Sequence, residues 1–500
     1  MKINRATFPA LLSFAMAIGL LLGYNLSQGK KSARDGKWEK IDQILQYVEE
    51  DYVDTISRKS LEDDVIAYLL QRLDPHSYYI TEDDISALNE PLDGGFQGIG
   101  IQFNFRSDTV YVINTIKGGP SEQAGILPGD KMIAVNDETI AGMHMATKDV
   151  MLLLKGESGS TVEVAVLRGK KELKFDLTRE EIALSSIDAA YLLNDTTIYV
   201  RLARFSKHTE EDFQREVYPL KSASVNHVIL DLRGNGGGYL EAASSIADEF
   251  LTDGQLITYT EGKSRARSDY YASSNGRFES VGLSIIIDGT SASASEIIAG
   301  AIQDHHRGII YGQKSFGKGL VQEQNEWSDG SATRLTVARY YTPNGRSIQR
   351  PYDRFQDKAE YYGRSSDSLN HGGIEPDIVV ERDTTGVTWL YAEMVHRGFI
   401  TDFVYQYRDK NYEGLKGLSF DQFVAQENDG SMLIALQLFL KKKEFEVNEK
   451  EWQRSVELIH GRTLALLARA LYGDEAYYRL LNLRDENIKA ILMNIKKPEV

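Results

Sequence analysis

Residues 283–305 read LSIIIDGTSASASEIIAGAIQDH. An apolar strand, a turn and a segment with apolar residues at helical spacing follow one another, which is a strand–turn–helix unit. The same plan occurs upstream in HVILDLRGNGGGYLEAASSIADEFL, residues 227–251, so this part of the chain is built from β–α units. Three serines alternate at 291, 293 and 295. Ser293 followed by Glu296 has the spacing of a capping box, in which the hydroxyl accepts a backbone N–H and the carboxylate reaches back. A helix start also offers unpaired N–H groups and the positive end of the helix dipole, both of which favour developing negative charge. Ser293 is therefore a cap, a nucleophile, or both.

A serine hydroxyl is a weak nucleophile until a neighbour takes its proton. His305 and His306 lie about three turns down the same helix, too far to touch Ser293 at 1.5 Å per residue. His371 sits in a loop with no indicated acidic partner, and His76, in the turn DPHS (74–77), reads as a local structural residue. In SFGKGLVQ (315–322), Lys318 is flanked by Gly317 and Gly319. If 318–322 is extended, the side chains of Lys318, Leu320 and Gln322 share one face, and Gln322 can hold the lysine amine by a hydrogen bond. Burial would lower the lysine pKa and make the neutral amine available as a base. A solvated loop lysine is the alternative.

On the N-terminal side, GGFQGIGIQF (94–103) is glycine-rich and enters a series of short strands that includes AGILPGDKMIAVND (124–137). This stretch resembles a PDZ domain. Glycines around Gly98, Ile99 and Gly100 let successive backbone N–H groups face one concavity, a nest suited to a peptide's terminal carboxylate. Residues 36–90 read as helical, with one helix in WEKIDQILQYVEEDYV and a second after Ser60 in SLEDDVIAYLLQRL. The first residues are basic (MKINR), and an uncharged apolar run of about 17 residues from Phe8 to Tyr24 follows, just long enough to span a bilayer. With no clear small-x-small cleavage site after it, the expectation is an uncleaved signal anchor, the alternative being a cleaved signal and an exported protein. Beyond residue 386 the pattern is helical to the end.

The bulk properties fit a folded multidomain protein: 500 residues, 42% hydrophobic, no cysteine, net charge −16. Missing cysteines exclude disulfides and thiol catalysis, and the acidic balance argues against a nucleic-acid partner.

Seven segments, LDPHS, the PDZ-like block, LDLRGNGGG, SASASEIIAGAIQDH, GQKSFGKGLVQ, ARYYTPNGRSIQ and GGIEPDIVV, occur here in the order seen in the carboxyl-terminal processing peptidases, or tail-specific proteases, which the chain resembles from about residue 40 to 382. The resemblance implies an α/β multidomain protein: a signal anchor and linker (1–35), an N-terminal helical region (36–90), a PDZ domain (91–180), a β–β–α, ClpP/crotonase-like protease core (181–385) and a helical C-terminal extension (386–500). It implies a serine–lysine dyad of Ser293 and Lys318 with Gln322 in support, an oxyanion hole from the N–H groups of Ala294 and Gly237, and peptide binding at Gly98, Ile99 and Gly100. It further implies endoproteolysis of exported proteins near free C-termini, on the periplasmic side of the cell envelope, without metal or organic cofactor. Homo-oligomers are possible through the helical ends. The family's usual turn Asn-Asn-Pro-Gly-Gly is replaced by Gly234, Asn235, Gly236, Gly237 and Gly238, which predicts a looser turn. Two rival readings are a non-catalytic PDZ scaffold on a membrane anchor and an acyl-thioester hydratase or isomerase on a similar fold.

Overall fold

The computed structural model describes residues 39–106, 108–352, 372–381 and 383–495, with the single positions Met16 and Tyr361. The expected signal anchor and His371 lie outside the described residues. Among the described residues no helix is long and apolar enough to cross a membrane.

The N-terminal unit contains helices Glu39–Asp51 and Arg58–Gln71. The second helix starts earlier than the sequence reading placed it. Its cap is Ser57, which accepts the Ser60 N–H at 3.5 Å, and the ion pair Arg58–Glu62 (2.9 Å) supports the added turn.

In the second unit, Asp74 onward, a six-stranded sheet forms the centre. Ile187–Asn194 pairs antiparallel with Thr197–Leu202, and His227–Asp231, Gly282–Ile287, Ile309–Gly312 and Ile378–Val379 continue from there in parallel. The central strands are apolar on both faces because both faces are covered. Val228, Leu230, Ile285 and Ile287 pack on one side with Ile297, Ile298 and Ile302 of helix Ala294–Asp304. Ile229 and Ile286, one residue out of phase, point to the other side. That side is closed by the last helix, Glu486–Ile495, through Ile488 and Ile491, whose burial contributes about 2 kcal/mol each. The C-terminal region is thus more than the appendage read from its sequence: helices from Trp389–His396 to Glu449–Tyr472 build their own core, whereas the final helix is a layer of the central sheet.

A second sheet orders Tyr78–Ile80, Ala332–Tyr341, Leu256–Glu261 and Ser268–Tyr271, with Leu320–Glu326 also paired to Ala332–Tyr341. The PDZ-like unit is a sheet of Ile101–Arg106, Thr109–Thr115, Lys131–Val135, Thr161–Arg168 and Lys171–Thr178, with helix Thr147–Leu154 beside it. Chain entry and exit run as a two-stranded neck, Gly95–Gly98 against Glu180–Ala183.

Candidate active site

The turn from strand Gly282–Ile287 into helix Ala294–Asp304 separates the three serines by role. Ser291 Oγ donates to the Leu232 carbonyl (2.8 Å), and Ser295 Oγ donates to the Asn235 carbonyl (3.0 Å); both serines are fully buried and tie the helix start to the glycine turn at 232–238. Ser293 sits between them at the N-cap with φ 55° and ψ −113°. A non-glycine residue held there stores on the order of 1–3 kcal/mol of backbone strain, which the surrounding bonds must hold.

Glu296 supplies most of that hold. One carboxylate oxygen, Oε2, accepts the N–H of Ser293 (2.8 Å) and of Lys318 (2.8 Å). Its partner, Oε1, accepts the Gly317 N–H (2.7 Å) and the Ser315 hydroxyl (2.5 Å). The carboxylate half of the capping box is therefore made, and the same group reaches across to the Lys318 loop. Glu296 is fully buried, and burial pushes its pKa up to about 7 against the opposing pull of these four donors. The fully packed Tyr340 hydroxyl adds a second bridge, lying within hydrogen-bond distance of the Ser293 carbonyl (3.1 Å) and of the Lys318 carbonyl.

Lys318 is half-buried. Loss of hydration is the main cause that lowers its pKa to about 8; Arg334 lowers it further, while Glu296 and Asp74 oppose. Asp74, in the DPHS turn, accepts the N–H groups of His76 and Ser77 (2.8 Å each) and the Ser77 hydroxyl (2.6 Å). His76 is buried beside Tyr361, their rings 5.5 Å apart edge to face.

Three of the expected residues have the following geometry. Lys318 lies in the loop before strand Leu320–Glu326 and not on the strand, because Glu296 captures the loop's N–H groups. Gln322 donates to Thr336 Oγ1 (3.4 Å) instead of to the lysine; with Lys318 outside the strand, period-two alternation does not relate the two side chains. Gly237 N–H donates to Asn235 Oδ1 (2.9 Å), a local Asx bond, and in this conformation is not directed at a substrate. The Ala294 N–H is the first of the helix and has no intrahelical partner. Among the described residues no hydrogen bond joins the Ser293 hydroxyl to the Lys318 amine.

The glycine turn is not loose, despite lacking proline. Asn235 donates through Nδ2 to the Leu202 carbonyl (2.9 Å), and its own carbonyl accepts the Ala292 N–H (3.0 Å). At Gly237 (φ +102°) a Cβ would come 2.7 Å from the Ser293 Cβ and 3.1 Å from the Ala294 nitrogen, so only glycine lets the turn lie against Ser293.

At the PDZ-like loop, the Ile99 carbonyl accepts both the N–H (3.1 Å) and the hydroxyl (2.6 Å) of Ser121. Gly100, at φ +70°, presents its carbonyl to the Ile116 N–H (2.8 Å). In a planar trans peptide the N–H points opposite to the carbonyl, so the Gly100 N–H faces away from Ser121. Gly98 ends the neck strand, near the C-terminal end of helix Thr147–Leu154.

These elements match known protein families in sequence. The family described as Peptidase family S41 matches residues 196–352, a PDZ domain matches residues 97–178, and a family of unknown function matches residues 390–473. The chain belongs to the carboxy-terminal processing proteases of family S41, serine-type peptidases that carry a PDZ domain. It is 31% identical over 324 residues to the carboxy-terminal processing protease CtpB of Bacillus subtilis (strain 168), covering 64% of this chain and 67% of that protein. With CtpA of the same organism it shares 30% over 361 residues, covering 71% and 76%. A solved photosystem II D1 C-terminal processing protease is 28% identical, covering 70% of this chain and 88% of that one at a TM-score of 0.40.

Proposed function

We propose that this protease works through a Ser293–Lys318 dyad. The observation that carries the reading is Glu296: one buried carboxylate binds the backbone N–H groups of both residues and so fixes a candidate nucleophile and a candidate base to one point. In the proposed reaction the neutral Lys318 amine takes the Ser293 proton and Ser293 Oγ attacks the substrate carbonyl. The resulting oxyanion is held by the Ala294 N–H and, once released from Asn235, by the Gly237 N–H; each such donor is worth about 3 kcal/mol in the transition state. The lysine ammonium then protonates the leaving amine, and water, deprotonated by the same amine, hydrolyses the acyl-enzyme. The dyad closes by side-chain rotation when substrate enters, as catalytic contacts are often open in a free enzyme. Gln322, paired across the sheet with Thr336, takes the supporting role when its amide turns to Lys318.

The Gly98–Ile99–Gly100 loop binds the terminal carboxylate of a protein or peptide substrate and presents the preceding residues to the dyad. The apolar N-terminal segment anchors the enzyme to the inner membrane with the protease on the periplasmic side. Ser293→Ala and Lys318→Ala variants, assayed with a peptide of free C-terminus, should each be inactive while folded; full hydrolysis by either would overturn the dyad.

A further inference from the structure

The glycine turn is held from two sides. Facing Ser293 it is fixed by the Ser291 and Ser295 hydroxyls and by Asn235. On the opposite side Arg233 forks outward, its Nε and Nη2 donating to the two oxygens of Asp231 (3.0 and 2.6 Å) and its Nη1 to Asp485 Oδ2 (2.6 Å). Asp231 is fully buried at the end of strand His227–Asp231, and also takes Arg201 (2.8 Å) and the Tyr199 hydroxyl (2.8 Å). Against the cost of that burial, Arg233 and Arg201 hold its pKa at about 2.

The charge balance singles out Asp485. Two guanidiniums face the single carboxylate of Asp231, and Asp485 brings the second negative charge. Both Arg233 and Asp485 are mostly screened from solvent, with side chains 22% and 17% exposed. Asp485 is itself fixed, because its Oδ1 accepts the N–H groups of Asn487 (2.9 Å) and Ile488 (3.2 Å) at the start of the last helix, the one that seats Ile488 and Ile491 under the central sheet.

We infer that Asp485 of the C-terminal extension is a positioning residue for catalysis, bracing the glycine turn beside Ser293 through Arg233. Helices outside the matched protease region thereby complete the active site's rear wall. The inference rests on the proposed reading of that turn as the partner of Ser293.

Asp485→Ser keeps a helix cap but is too short and uncharged to hold Arg233; Asp485→Asn keeps the length and the cap without the charge. In the full chain, Asp485→Ser should lower kcat about tenfold or more with KM within about twofold. It should weaken a peptide boronate, whose tetrahedral oxygen mimics the oxyanion, by a similar factor. Asp485→Asn should fall between it and the parent protein. Binding of a C-terminal peptide to the PDZ domain, measured in a Ser293→Ala background, should not change. Unchanged kcat and boronate affinity in folded Asp485→Ser would overturn the inference, as would an equal loss of PDZ peptide binding, which would mark a general structural defect. Activity retained by Ser293→Ala alone would instead mean that the site reading failed.

Discussion

Replacing Glu296 by glutamine changes one atom at the point where the proposed dyad is tied together. If the amide nitrogen took the Oε2 position it would face two N–H donors, those of Ser293 and Lys318; at Oε1 it faces one N–H, that of Gly317, and a hydroxyl that can reverse its role. The second orientation wins, leaving one buried N–H unpaired at a cost of about 1–3 kcal/mol. If that loss loosens the Lys318 loop in the transition state, kcat/KM at pH 8 falls by roughly 10- to 100-fold. Stability moves the other way with pH. The folded pKa of Glu296, about 7, lies above the ordinary 4.5, so its contribution to stability is fully present below pH 4.5 and is lost as pH rises through 7. The gap corresponds to about 3 kcal/mol. Denaturant titrations at pH 5 and pH 8 should therefore show the parent protein losing on the order of 2–3 kcal/mol that Glu296→Gln retains. Parallel pH–stability profiles, or unchanged kcat/KM at pH 8, would refute the reasoning.

Two further substitutions probe the same site. Gly237→Ala places a methyl 2.7 Å from the Ser293 Cβ and strains a φ of +102°, so peptide hydrolysis should drop at least about 100-fold while PDZ peptide binding persists. Near-normal turnover would show that the turn does not approach the nucleophile in the working enzyme. Arg334→Gln removes a cation that disfavours protonated Lys318, so the rising limb of the pH–kcat profile should move to higher pH; a limb that stays in place or moves down would exclude that electrostatic role.

Much of the protease core was legible because its signals are local. Apolar strands, the glycine turn and the helical rhythm after Ser293 fall within single windows of sequence, and the chain's order of motifs pointed to the family. Glu296 was legible only in part. Its capping spacing is written three residues from Ser293, but its partners at 315, 317 and 318 come from a loop about twenty residues on, and no periodicity predicts that capture. Parity reasoning did not reach Gln322 because the strand begins at Leu320, after the loop that Glu296 holds, so Lys318 is outside the alternation. The helical end read as an appendage since Ile488 and Ile491 make an ordinary amphipathic pattern. Only the fold shows that the surface they cover belongs to Ile229, Ile286 and Tyr311.

The most direct test of the dyad is the pH dependence of Ser293 labelling by a fluorophosphonate, in the parent protein and in Lys318→Ala. With a desolvated amine as the base, the labelling rate should climb about tenfold per pH unit and level off above a pH of about 8, and the lysine variant should label far more slowly with no such inflection. Equal rates and the same inflection in both proteins would contradict the account.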